Sequence, residues 1–157
     1  MLSVALNLRE FKTEPAMAFA GINYIAVLVA AAVGWIAGAA WYMALAKPWM
    51  AAVGTTKEQI EASRQKPGAW LPFVLALASC VIMAWILAGL IGHLGPGQVT
   101  IRNGVISGLF CWFGFVVTTM LVNYSFAMRP RMLLVIDSGH WLVVLALMGA
   151  IIGAIGV

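Results

Sequence analysis

Four long apolar runs, residues 22–46, 70–94, 101–127 and 132–156, occupy most of this chain and constrain what it can fold into. At about 1.5 Å per residue, each run in helical form reaches across a hydrocarbon core of about 30 Å with room for tilt. Backbone amides inside a bilayer must be satisfied within the protein, and nothing here has the alternation of a barrel strand, so the runs are read as helices. With 64% of its 157 residues hydrophobic and 9% charged, the chain leaves no length for a soluble domain. The expected fold is all-α: an integral membrane four-helix bundle made of two antiparallel transmembrane hairpins. Residues 1–21 would form an N-terminal tail and residues 22–156 the transmembrane domain.

The connections carry the polar residues. Loop 47–69 is punctuated by Pro48, Gly54, Pro67 and Gly68 and holds a helix-prone stretch over 56–65, while Gly95-Pro96-Gly97 and Arg129-Pro130-Arg131 read as tight turns. Lys47, Lys57, Arg64, Lys66, Arg129 and Arg131 fall on one side, and Arg9, Lys12 and Arg102 on the other. The positive-inside rule then predicts loop 47–69 and the Pro130 turn in the cytoplasm and both termini outside. A start at Met17 would sharpen that bias, because Arg9 and Lys12 precede it. Ala44-Leu45-Ala46 resembles a signal-peptide cleavage site, but the apolar run before it is longer than an h-region. The net charge of +4 does not indicate nucleic acid, since the bases sit at the ends of apolar segments as topology signals and snorkelling anchors.

Asp137 is the one acid within an apolar run; Glu10, Glu14, Glu58 and Glu61 all lie outside them. A carboxylate at membrane depth has to be neutralised, paired or hydrated, which makes it a site hypothesis by default. In an antiparallel hairpin, residues equally far from the Pro130 turn lie at similar height. Asn123 is thus expected opposite Asp137, with Tyr124, Thr119 and Thr118 near that level or deeper and His140 about one turn deeper on the same helix face. An Asn amide, a Tyr hydroxyl or the His140 imidazole can each donate to a carboxylate. Arg131, six residues away, is misplaced for a same-face ion pair. The expected intramembrane polar cluster is Asp137, His140, Asn123, Tyr124 and Thr119.

Small residues recur every four positions at Ala26, Ala30, Gly34 and Gly38, at Gly104 and Gly108, and at Gly149 and Gly153. Such stripes let two helix backbones approach closely, within one chain or between copies. On the fourth span, at about 100° per residue, Asp137, His140, Trp141 and Val144 share one face, and Ala146, Gly149, Ala150 and Gly153 the opposite one. Covering both faces is expected to involve a second protomer, and hence a homo-oligomer.

Trp41-Tyr42 before Lys47-Pro48 parallels Asn123-Tyr124 before Arg129-Pro130, with Tyr, base and Pro at equal offsets. A duplicated hairpin would produce this pattern, but so would any cytoplasmic helix end with an interfacial aromatic, a snorkelling base and a helix-stopping Pro. Trp35, Trp49, Trp70 and Trp141 need no ligand for the same reason. Cys80 and Cys111 read as small buried hydrophobes and His93 as a solvated helix end, so no metal or cofactor site is expected.

Asn23-Tyr24, Gly38-Ala39-Ala40-Trp41-Tyr42, Lys47-Pro48-Trp49-Met50, Asn123-Tyr124 before Arg129-Pro130, Asp137-Ser138-Gly139-His140-Trp141-Leu142 and Leu147-Met148-Gly149-Ala150-Ile151-Ile152-Gly153 together resemble the bacterial membrane family of domain of unknown function 1761. The resemblance runs from about residue 22 to 153. It implies a small four-span protein and brings no activity with it. Where the family pattern has an aromatic after the acid-small-Gly unit, this chain has His140, so Asp137 is the stronger bet of the two.

Two functions fit these residues. The first is a homo-oligomeric inner-membrane protein that binds or passes a small solute or ion, proton-linked through Asp137. The second is a non-catalytic accessory or structural subunit of a larger membrane complex, in which Asp137 only ties helices together. With a single acid and His, and no nucleophile set or phosphate loop, an enzyme is not expected.

Overall fold

The computed structural model describes residues 21–157. The N-terminal tail through residue 20, with Arg9, Lys12 and Met17, lies outside the described residues. The described elements are α1 (Tyr24–Ala44), α2 (Ala46–Val53), α3 (Lys57–Arg64), α4 (Leu71–Gly92), α5 (Ile101–Cys111), a π-helical turn (Trp112–Val117), α6 (Thr118–Phe126) and α7 (Arg131–Ile155). All are helical, and no strand occurs among the described residues. Tyr24–Ala44, Leu71–Gly92, Ile101–Phe126 and Arg131–Ile155 are long and apolar enough to cross a membrane, which makes this a multi-pass membrane protein.

Local chemistry sets the boundaries. Asn23 caps α1, its side chain accepting from the amides of Ile25 and Ala26. At the other end of α1, Pro48 has no N–H for the Ala44 carbonyl and its ring would crowd that oxygen. The helix therefore breaks at Leu45 and restarts as α2, with Pro48 in the first turn where its missing amide is harmless. Loop 47–69, expected as a loop with one helix-prone stretch, holds two short helices. Thr56 starts α3 with a capping box, its hydroxyl on the Gln59 amide and the Gln59 side chain on the Thr56 amide.

Helix α7 lies in the middle of the packing, with α1 and α5 on different faces and α4 touching it less extensively. Gly34 of α1 meets Val144 and Met148, and Gly38 meets His140. On the other side, Gly104 lies backbone to backbone with Gly149, Gly108 with Leu145, and Gly153 with Thr100. These approaches are so close that a Cβ at Gly104, Gly108, Gly149 or Gly153 would overlap backbone atoms. All three small-residue stripes are thus used inside one chain. Within one chain, α1 and α5 each cover a face of α7, the two faces for which a second protomer was expected.

The apolar core sits at the end of the molecule remote from loop 47–69. Val27, Ala30 and Ala31 of α1 pack there with Ala84, Leu87, Ala88 and Ile91 of α4 and Val144, Met148 and Ile152 of α7. Lipid tails are as apolar as these side chains, so the gain comes from dense dispersion contact, which small residues permit. Toward the loop end α4 buries nothing before Cys80, and the third span buries nothing after Gly108. What holds that end together is polar.

Candidate functional site: a carboxylate held by two phenols

Asp137 lies on the second turn of α7 and is buried, with 8% of its surface exposed. Each carboxylate oxygen accepts a hydrogen bond from a different helix. The Tyr42 hydroxyl of α1 donates to Oδ1 at 2.8 Å and the Tyr124 hydroxyl of α6 to Oδ2 at 2.7 Å. With one donor on each oxygen, neither acceptor of this acid is left buried without a partner.

The backbone on either side is gripped as well. The Trp41 indole N–H donates to the Ile136 carbonyl at 3.0 Å, and the Trp112 indole N–H to the Ser138 carbonyl at 2.7 Å. A carbonyl has two lone pairs, so it can take an indole besides its helical partner. Gly139 gives Trp41 room, since a Cβ there would stand 2.9 Å from the Trp41 ring. Four side chains from α1, the π-helical turn and α6 therefore converge on three successive residues of α7.

His140 is also buried, at 9% exposure, one turn beyond Asp137. Its ring lies between those of Tyr42, 4.9 Å away by centroid, and Trp141, at 4.5 Å. Nε2 faces Gly38, where a Cβ would come within 2.5 Å. Nδ1 is buried and has no hydrogen-bond partner among the described residues. The carbonyl four residues back, which His93 uses in its own helix at Gly89, is at this site the Ile136 carbonyl taken by Trp41.

Of the five expected cluster residues, Asp137, His140 and Tyr124 come together. Asn123 and Thr119 do not: both are exposed on α6, and the phenols rather than the Asn123 amide occupy Asp137. Helix α6 touches α7 far less than α5 does, so only a long side chain spans the gap. The π-helical turn adds to this. Inserting one residue into an α-helix shifts everything beyond it by about 100°, so the face that α6 presents does not follow from the register of α5. Thr118 stabilises the turn, its hydroxyl donating to the Gly114 carbonyl at 2.7 Å.

Tyr42, Trp41, Trp112 and Gly139 were missing from the expected cluster. A signal for Tyr42 existed in the parallel with Tyr124 at equal offsets from base and Pro, and the two aligned phenols hold opposite oxygens of one carboxylate.

Two surface pockets of about 350 and 330 Å³ occur elsewhere, one lined by Leu94, Gln98 and Asn103, the other by Tyr24, Leu28 and Trp85. Neither touches Asp137 or His140. Comparison with curated proteins and with solved structures finds no match. One family model does match, over residues 25–153, and it spans the clasp, the small-residue contacts and all but the edges of the four apolar helices, so the chain belongs to the family described as protein of unknown function (DUF1761).

Proposed function

We propose that this protein is a non-catalytic structural or accessory subunit of a bacterial inner-membrane assembly, with Asp137 as the clasp that holds α1, α6 and α7 in register at the loop end. The observation that carries this reading is the double occupancy of the carboxylate by Tyr42 and Tyr124 on a buried residue. A buried carboxylate with both oxygens taken is a poor station for a moving solute. The surface offered to a partner is the third span beyond Gly108, where Phe110, Phe113 and Phe115 are exposed and nothing is buried. The loop end, with Lys47, Lys57, Arg64, Lys66, Arg129 and Arg131 against Arg102 at the other end among the described residues, faces the cytoplasm in this reading.

A second reading, in which the site moves a proton or binds a small polar solute, is favoured by one observation: the buried Nδ1 of His140 has no partner among the described residues. Substitution of Asp137 separates the two. Asp137→Asn keeps one acceptor, and its amide can donate to the other phenol oxygen, so under the structural proposal it is mild and leaves proton leak across reconstituted vesicles unchanged. Asp137→Leu removes both acceptors and is expected to lower thermal stability and to abolish cross-linking of a partner through a cysteine placed at Phe113. A proton flux in the wild type that Asp137→Asn eliminates without loss of stability would overturn the structural proposal in favour of the second reading.

A further inference from the structure

The loop end carries charge that the clasp does not use. Six cations, Lys47, Lys57, Arg64, Lys66, Arg129 and Arg131, stand there against two acids, Glu58 and Glu61. Lys57 pairs with Glu61 at 3.6 Å, and the other five cations have no acidic partner among the described residues. Arg129 and Arg131 are both exposed. They are also fixed in place. The Arg129 amide bonds back to the Tyr124 carbonyl at 2.9 Å and the Met128 amide to the Ser125 carbonyl at 3.2 Å, with Met128 in the left-handed region at φ 52°. This double closure of a helix end sets where Arg129 leaves α6, and Pro130 sets where Arg131 begins α7. Helix α2, which carries Lys47, packs against α7, and its Trp49 stands edge-on to Tyr42 at 6.0 Å. Three exposed cations thereby stand at the ends of the elements that carry the clasp, Lys47 on α2, Arg129 after α6 and Arg131 at the start of α7. Exposed apolar side chains accompany them, Phe126 at 86% and Met128 at 90%.

We infer that this end of the molecule is a binding surface for anionic phospholipid, with Arg129, Arg131 and Lys47 on headgroup phosphates and Phe126 and Met128 against the acyl region. Charge complementarity selects the occupant. Each cation at a membrane surface favours anionic lipid by about fivefold, and a cluster of four to eight is the pattern that anionic leaflets attract. The inference does not depend on whether Asp137 is a structural clasp or a proton site.

The test is native mass spectrometry of the full chain in detergent, titrated separately with phosphatidylglycerol, phosphatidylcholine and sodium phosphate. Phosphatidylglycerol should be retained in preference to phosphatidylcholine, and Arg129→Gln with Arg131→Gln should reduce that preference by roughly 25-fold. Arg129→Lys with Arg131→Lys should preserve it, and Lys57→Gln, which removes a cation already paired, should change it little. Should the glutamine pair fail to fold, Lys47→Gln leaves the turn intact and should weaken the preference by about fivefold. Equal retention of the two lipids, an undiminished preference in the glutamine variants, or displacement of lipid by equimolar phosphate would overturn the inference.

Discussion

At the scale of single residues, Asp137 is tolerated within a long apolar helix because Tyr42 and Tyr124 each donate to one of its oxygens. Interhelical hydrogen bonds in membranes are worth about 0.6 kcal/mol on average and about 1.7 at most, since the unfolded chain in lipid finds other partners. Tyr42→Phe and Tyr124→Phe are each expected to lower unfolding free energy in mixed micelles by about 1 kcal/mol. The two phenols share an acceptor, so a double-mutant cycle should show non-additive loss. Gly38 is the second residue with a sharp expectation. A methyl there would stand 2.5 Å from His140 Nε2, so Gly38→Ala should destabilise by about 1–3 kcal/mol, and His140→Ala in the same chain should restore much of it. Gly114→Ala, with nothing within 4 Å, is the matched control and should be close to neutral. Thermal denaturation followed by circular dichroism reads all three.

At the scale of elements, two helix ends carry distinct expectations. Met128 closes α6 in the left-handed conformation, which costs an L-residue about 1 kcal/mol that glycine escapes. Met128→Gly should therefore raise stability by a similar amount. At α3, the Glu58 amide and then the Thr56 hydroxyl hold the Glu58 carboxyl below its usual range. A carboxyl depressed in the folded state contributes stability above its unfolded pKa and loses it as pH falls through the folded value. Fraying of α3 should accordingly increase on acidification below the ordinary carboxylate range. Thr56→Ala should both fray α3 and return Glu58 toward its ordinary pKa, as read by an NMR titration. The group is fully exposed, so salt should weaken the effect. The π-helical turn is an element of a different kind. Its residues, Trp112-Phe113-Gly114-Phe115-Val116-Val117, contain nothing that marks a widened turn, and their apolar character only marks a span.

At the scale of the whole molecule, the two ends are held together by different chemistry. Dispersion between α1, α4 and α7 secures the end remote from loop 47–69, and hydrogen bonds to α7 secure the loop end. Substitutions at Asp137, Trp41 or Trp112 should thus release the loop end first. Hydrogen exchange should rise in α6 and the start of α7 while the core end stays protected. The charge asymmetry sets the expected orientation, with a C-terminal reporter active outside the cytoplasm. Activity of that reporter in the cytoplasm would contradict it.

The four long apolar helices and the all-α class were legible in the residues, because each depends on one segment at a time. Hydropathy over a window locates a helix suited to lipid. The start of α3 at Thr56 was legible for the same reason. Which groups meet was not. These spans are apolar on every side, so the pattern does not record how each helix is turned about its axis. Tyr42 reaches Asp137 across 95 residues of chain. The small-residue stripes announced close approach without naming a partner, and packing set the glycines of α1 against α7 and those of α5 against the stripe on α7 itself. Tertiary structure alone decided that Tyr124 rather than Asn123 meets the acid, because α6 stands off from α7 across a gap that a phenol is long enough to span.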